Sequence, residues 1–364
     1  MYNLAKGLKK RDYNVIIVTS DTEEGYHYEV KKEATVIRMP SIKLMNGRLP
    51  VWKYNKETKH WISELDKNKV DYVIINTRFY VLSCFAAKYA EKRNIPCYLI
   101  EHGTGHLSFN NKLIDLCGQV YEHAITCYVK KHVKNFYGVS WACADWIKHF
   151  NINAKGVLYN AIDLENIKKI SEDGNDEIRK LINYSETDQI IAYTGRLIKE
   201  KGILKLVDAI KKIHDECPNV KLCVAGDGEL FEQLKEANYD YVILLGKLPF
   251  EKVVQLLNLT MIYCLPTDYP EGLPTSVLEA IACNNYVVTT SSGGAKEVII
   301  NGKYGVILEE NNVDNIYEAI ITAIQNPELR EKTVKNAYER LVNNFTWRNT
   351  VDELINIFNE EGEI

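Results

Sequence analysis

Two carboxylates eight residues apart, Glu271 and Glu279, stand in the run Pro270-Glu271-Gly272-Leu273-Pro274-Thr275-Ser276-Val277-Leu278-Glu279-Ala280. The first lies in a segment shaped by Pro and Gly. The second follows about one turn into an expected amphipathic helix. Thr275 or Ser276 can cap that helix, and the free N–H groups of its first turn make an anion site. Carboxylates accept hydrogen bonds from hydroxyls, so the combination suits a ligand carrying both a phosphate and a sugar or ribose. The spacing alone is a weak signal. With 32 Glu in 364 residues, chance supplies roughly three such pairs, and a solvated helix carboxylate plus a loop charge is the plain alternative.

Further segments of this kind follow expected strands. Thr194-Gly195-Arg196-Leu197-Ile198-Lys199-Glu200-Lys201-Gly202 precedes an expected helix over Leu204 to His214. Gly195 lets backbone approach closely, Arg196 can grip phosphate with two parallel bonds, and Lys201 acts as a point charge. A solvated helix start is the alternative. Gly226-Asp227-Gly228-Glu229-Leu230-Phe231 and Gly103-Thr104-Gly105-His106-Leu107-Ser108 each fail the G-x-G-x-x-G pattern at its last position, so neither supports a dinucleotide cofactor. Gly226 still marks a close backbone approach. His102, in Glu101-His102-Gly103, could polarise or hydrogen-bond a substrate hydroxyl, or be structural. Gly293-Gly294-Ala295-Lys296-Glu297 adds an N–H-rich turn. No Asp-x-Asp, P-loop, nucleophile elbow or His-Glu-x-x-His occurs. The sequence therefore offers no simple metal site beside a diphosphate, and Arg196, Lys201 and helix N-termini must meet that charge.

These loops need strands to position them. Short apolar runs at Val15–Thr19, Tyr72–Ile75 and Cys97–Ile100, with weaker candidates at Val139–Trp141 and Gly156–Tyr159, read as one series. A second series runs through Ile190–Thr194, Lys221–Ala225, Val242–Leu245, Met261–Leu265 and Tyr286–Thr290. Near-continuous apolar strands separated by helices mean parallel sheets covered on both faces, and two series mean two doubly wound α/β domains. The expected domains are 1–165 and 166–345. The expected join lies near 163–187, around the polar segment Ser171–Glu177. A terminal helix over 346–364 carries one apolar stripe of Val351, Leu354, Ile355 and Phe358. One feature departs from the pattern: a helix-like segment, Tyr2 to Lys10, stands where a first strand and Gly-rich turn would open the domain. A misplaced start codon or truncated gene would explain it, and reading the upstream frame tests this.

A chain of 364 residues with 46% hydrophobic and 26% charged residues is that of a soluble two-domain protein. No run reaches the length of a membrane span and no signal peptide is evident. Nine scattered Cys without C-x-x-C suggest neither disulfides nor a zinc knuckle, and a reducing cytoplasm. The net charge of −4 hides an asymmetry: residues 1–165 carry 24 basic and 17 acidic side chains, and residues 166–364 carry 21 and 32. A basic half could face anionic lipid or substrate. Lys130, Lys131, Lys134, Phe136, Tyr137, Trp141 and Trp146 form a basic, aromatic stretch within it. It reads either as a peripheral contact with an anionic membrane or as an ordinary helix and strand with exposed Lys.

Together these residues resemble the retaining glycosyltransferase family 4, of the GT-B fold. Gly195-Arg196-Leu197 with Lys201-Gly202, Glu271 to Glu279 with Gly272-Leu273-Pro274 between, and Gly293 to Glu297 match the family's elements in order. Tyr159-Asn160-Ala161-Ile162-Asp163 looks like its domain-ending element, and the Trp347 helix like its returning tail. The resemblance implies two Rossmann-like domains facing across a cleft. It implies transfer of a hexosyl unit from a nucleotide-sugar to a glycan or lipid-linked acceptor, with no metal, cofactor or nucleic acid. Arg196 and Lys201 would bind the diphosphate, with Gly195 and Gly226 close by, and Glu279 the ribose. Glu271 would hold the donor sugar, with the N–H groups of Leu273, Pro274's neighbour, and Thr275 nearby, and His102 would lie at the sugar from the opposite domain. Alternatives are an inactive or truncated nucleotide-sugar-binding protein and another GT-B enzyme such as a sugar-nucleotide epimerase.

Overall fold

The computed structural model describes residues 1–22, 28–47, 49–108, 111–174 and 176–362. The chain forms two compact units: Met1–Tyr159 together with the segment from Trp347 onward, and Asn160–Thr346. The first boundary falls a few residues before the expected one. The expected polar join is not a linker. Two helices, Leu164–Glu172 and Asp176–Leu181, occupy it and bury Ile167, Ile170 and Ile178.

In the second unit a six-stranded sheet has the spatial order Val242–Gly246, Val220–Ala225, Gln189–Thr194, Thr260–Leu265, Tyr286–Thr289, Val306–Ile307. Every pair in it is parallel. Chain order thus runs outward in both directions from Gln189–Thr194. Ile190, Ile191, Ala192 and Tyr193 are fully buried there, as a strand covered by helices on both faces requires. The helix Ile203–Glu216 packs on the neighbouring strand Val220–Ala225 and buries Ile203, Leu206, Val207, Ala209, Ile210 and Ile213, a stripe at helical spacing. The two-residue strand Val306–Ile307 had no readable run.

The first unit holds separate sheets rather than one. Ile16–Ser20 pairs in parallel with Thr35–Met39, which pairs antiparallel with Tyr28–Val30. Val73–Asn76, Cys97–Glu101, Asn135–Gly138 and Gly156–Val157 form a four-stranded parallel sheet. Within these sheets Ile16–Ser20 and Val73–Asn76 each have one strand neighbour, and the helix Tyr2–Lys9 precedes the former. Val139–Trp141 is not a strand. Ser140 accepts a hydrogen bond from the Cys143 N–H and caps the helix Trp141–Trp146, because a Ser before a helical run satisfies an end donor. Phe136 and Tyr137 lie buried in Asn135–Gly138, and Lys130 donates to the Phe150 carbonyl at 2.9 Å, so the basic aromatic stretch is not one continuous surface. Among the described residues no helix is long and apolar enough to cross a membrane.

The helix Trp347–Gly362 belongs to the first unit. Its Val351, Leu354 and Phe358 are buried, as the stripe requires, whereas Ile355 is only half-buried and Ile357, outside the expected stripe, is buried. The Phe358 ring lies flat on Tyr72, centroids 4.0 Å apart, and meets Tyr98 at 5.3 Å. Its other neighbour is the helix Tyr2–Lys9, where a Cβ built on Gly7 would come within 2.5 Å of Val351. Truncating Phe358 removes an aromatic stack and leaves a cavity the surrounding rings cannot fill. Phe358→Ala should therefore destabilise the protein by about 3–5 kcal/mol, read from urea unfolding. A loss under about 1 kcal/mol would show that the helix is not docked as described.

Candidate active site

The strand order of the second unit decides where its functional side chains stand. Connections from Gln189–Thr194 and from Thr260–Leu265 depart to opposite sides, which leaves a crevice at the carboxyl ends of these neighbouring strands. Gly195 and Arg196 leave the first strand directly, and Tyr269 to Pro274 lie in the loop after the second. Gly226 begins the loop after Val220–Ala225.

Backbone contacts lock these loops to one another. Gly226 has φ +155°, and a Cβ there would sit 1.8 Å from the Gly195 carbonyl oxygen, so the two loops touch through main chain. Gly195 N–H donates to the Ala225 carbonyl at 3.0 Å. Gly293, with φ +55°, abuts the Glu271 carbonyl in the same way, a Cβ falling 1.9 Å from its oxygen. Gly294 N–H then donates to the Gly272 carbonyl at 2.8 Å, and the Ser292 hydroxyl donates to the Tyr269 carbonyl. Only glycine fits such approaches at these backbone angles.

The structure brings Arg196, Lys201 and Glu271 together around Tyr269. The Arg196 guanidinium carbon lies 4.7 Å and the Lys201 ammonium 5.3 Å from the Tyr269 ring centroid. The Lys201 ammonium also donates to Glu271 Oε1, an ion pair with both side chains largely shielded from water. The residue types gave no sign that these two would pair. Tyr269, next to Pro270-Glu271, could have been suspected from position alone. The helix Thr275–Ala282 starts at the expected cap rather than after it: Pro274 is the N-cap and no side chain caps it, so Thr275 and Ser276 are already helical. Thr275 and Ser276 N–H therefore have no side-chain cap, since the first intrahelical bond to Pro274 comes from Val277. Glu279 lies in this helix. Burial alone, without a nearby countercharge, pushes its carboxyl up to about 7.

His102 belongs to the first unit, just after Cys97–Glu101. Its Nε2 bonds Asn76 Oδ1 at 2.9 Å, and desolvation holds its pKa below the usual histidine range despite Glu101. The ring is therefore a neutral hydrogen-bonding group. Its loop is held by a buried ion triad that the sequence reading missed. Arg78 bonds Glu101 Oε2 at 2.7 Å and Glu122 Oε2 at 2.8 Å, with all three side chains buried. Glu101 Oε1 accepts from the His102 and Gly103 N–H groups, each at 3.1 Å, and Glu122 Oε1 accepts from Leu107 N–H at 2.7 Å. Arg78 follows the strand Val73–Asn76, so the strand-end rule could have found it. Glu122 lies mid-helix and carries no local signal.

The Glu279 shift has a definite pH signature. A carboxyl raised in the folded state leaves that state more protonated than the unfolded one between about 4.5 and about 7. Stability is then fully present below about 4.5 and falls as pH rises through about 7. Glu279→Gln removes this loss. Without ligand, the variant should melt above the parent at pH 8, with the gap closing toward pH 4.5. A gap independent of pH in a thermal scan would refute the assignment.

Comparison with known proteins agrees with this architecture. The model for Glycosyltransferase Family 4 matches residues 1–166, and that for Glycosyl transferases group 1 matches residues 174–340. An uncharacterized glycosyltransferase of Methanocaldococcus jannaschii is 26% identical over 95% of this chain and 90% of its own. The capsular polysaccharide biosynthesis glycosyltransferase CapM of Staphylococcus aureus is 29% identical over 57% of this chain and 53% of its own. The crystal structure of Anabaena HepE in complex with UDP-glucose superposes with a TM-score of 0.71 at 16% identity, over 96% of this chain and 100% of that one. The fold is GT-B, with two Rossmann-like α/β units. The chain is a transferase that belongs to the glycosyltransferases, its first part matching family 4 and its second part group 1.

Proposed function

We propose that this enzyme transfers a hexosyl unit from a nucleotide-sugar to a glycan or lipid-linked acceptor in cell-surface polysaccharide synthesis. In this reading the anomeric configuration is retained and no metal ion serves the diphosphate. The observation that carries it is the cluster of Arg196, Lys201 and Glu271 around Tyr269 at the strand-order reversal, beside helix N–H groups that no side chain caps. As the glycosidic bond breaks, negative charge grows on the leaving diphosphate. Fixed cations and oriented N–H groups stabilise that state more than the ground state, which is what accelerates the reaction. Arg196 binds the diphosphate, and Lys201 does so from a position fixed by Glu271. Glu271 also accepts from donor-sugar hydroxyls, Glu279 from the ribose, and neutral His102 serves a sugar hydroxyl. The UDP-glucose complex of HepE and the capsular role in the name of CapM support the donor class and pathway class.

Calorimetry with UDP-, GDP- and ADP-hexoses in EDTA tests the reading. One of them should bind, Arg196→Ala and Lys201→Ala should each weaken it roughly 10- to 100-fold, and Glu271→Ala should abolish turnover. Absence of heat with every donor rejects it. Binding without transfer or donor hydrolysis favours the inactive binding protein instead.

The acceptor side of the reading rests on the helix Lys112–His132. Leu113, Leu116 and Val120 are 76%, 58% and 65% exposed and lie along one face of it. Exposed apolar side chains on a helix in a basic half suit a peripheral contact with an anionic lipid surface. In flotation assays the protein should rise with vesicles containing anionic lipid, and Leu113→Asp with Leu116→Asp should prevent it. Failure of the parent to float at low salt refutes the contact.

A further inference from the structure

Three imidazoles that play no part in the donor site converge in the first unit. His106 lies in the loop after Cys97–Glu101, His123 in the helix Lys112–His132, and His149 in the 3-10 turn Ile147–Phe150. One ring nitrogen of each lies within 4.8 Å of those of the others. The Nε2 atoms of His123 and His149 are 3.1 Å apart. Ring packing is part of the arrangement: Trp146 stacks on His149 at 5.1 Å, and Phe150 meets His106 edge-on at 5.8 Å. Packing fixes ring planes, yet it does not require three nitrogens to face one point.

Two features prepare this point for a cation. His106 Nδ1 is 3.2 Å from Glu122 Oε2. When that carboxylate accepts from Nδ1–H, the lone pair of the ring falls on Nε2, which is how carboxylates orient metal-binding imidazoles. Glu122 and Glu101 share the single guanidinium of Arg78, two carboxylates against one cation. The neighbouring Lys148 is paired with Asp145 at 2.6 Å.

We propose that His106, His123 and His149 bind a divalent ion of the zinc class through three imidazole nitrogens, with the fourth position open to solvent. Three nitrogen donors select a late first-row metal over the oxygen-seeking Mg²⁺ or Ca²⁺. A tetrahedral ion with nitrogens at about 2.0–2.1 Å holds them roughly 3.3–3.4 Å apart. The His123–His149 pair is already near that spacing, so closing the site falls chiefly to the His106 loop. The ion would fasten that loop, which is continuous with His102, to the helix and the turn. Its role is to fix conformation and it takes no part in donor chemistry, so its failure leaves the proposed transfer reaction untouched.

Zinc titration of the metal-free protein by calorimetry tests the site, with MgCl₂ as the control. The expected result is one zinc per chain at low-micromolar affinity or tighter, and no heat with Mg²⁺. Cobalt substitution should give the visible bands of a tetrahedral, nitrogen-ligated ion. His123→Ala and His149→Ala alter exposed side chains and leave the circular dichroism unchanged, and each should weaken zinc at least about tenfold. Zinc should also raise the melting temperature of the parent and not that of the double variant. Absence of zinc binding, or binding undiminished in the double variant, overturns the proposal.

Discussion

The second unit depends on one topological constraint: chain order reverses at the strand Gln189–Thr194. Its neighbours on either side are Val220–Ala225 and Thr260–Leu265, and the segments that leave the carboxyl ends of Gln189–Thr194 and Thr260–Leu265 run in opposite directions along the sheet. The crevice that results collects what the loops on that edge carry. Gly195, Arg196 and Glu271 stand there because their segments leave adjacent strands. The glycine contacts add precision. A carbonyl that meets bare Cα cannot shift without a gap opening, so the Gly226–Gly195 and Gly293–Glu271 approaches hold the loops at fixed separations.

Much of this was legible in the amino-acid sequence, and the reason is burial. A strand covered on both faces must be apolar throughout, so all the long strands of the second unit announced themselves as runs. Strands whose runs are broken by charged residues or Pro did not. Thr35–Met39 carries Arg38, which bonds Glu29 at 3.0 Å, and the hairpin Ser41–Leu44 with Leu49–Trp52 contains Lys43 and Pro50. The segment Ser171–Glu177 looked like a linker because it is polar, yet its polarity marks the turn between two helices whose buried residues lie just outside it. At the site, residue types and order were readable and their partners were not. The Lys201–Glu271 pair joins residues 70 positions apart. Likewise, the three histidines arrive from three elements with no common spacing.

The first unit follows a different logic. Burying Arg78, Glu101 and Glu122 removes three charges from water, a cost that Coulomb attraction alone offsets only when every hydrogen-bonding position is matched. Here Arg78 Nε is buried without a hydrogen-bond partner, while both carboxylates also take main-chain N–H groups from the loop between Glu101 and Leu107. The triad is thus better understood as a device for holding a loop in one conformation than as a source of stability. A hydrophobic replacement could fill the same volume, but it could not order those N–H groups.

Glu279 illustrates the converse use of burial. In the resting protein its carboxyl is raised to about 7 because desolvation disfavours its charge and no cation compensates. A solvated surface carboxylate would avoid that loss, but it would meet a ribose while still bound to water. A desolvated one gains more from each hydroxyl it accepts, because the hydrogen bonds form in a medium of low dielectric and displace little water. In the proposed ribose-binding role, the instability of the free protein at this position and its affinity for hydroxyls have the same physical origin. A change that relieves the first must weaken the second, and the two effects should track each other as pH crosses the range where the carboxyl ionises.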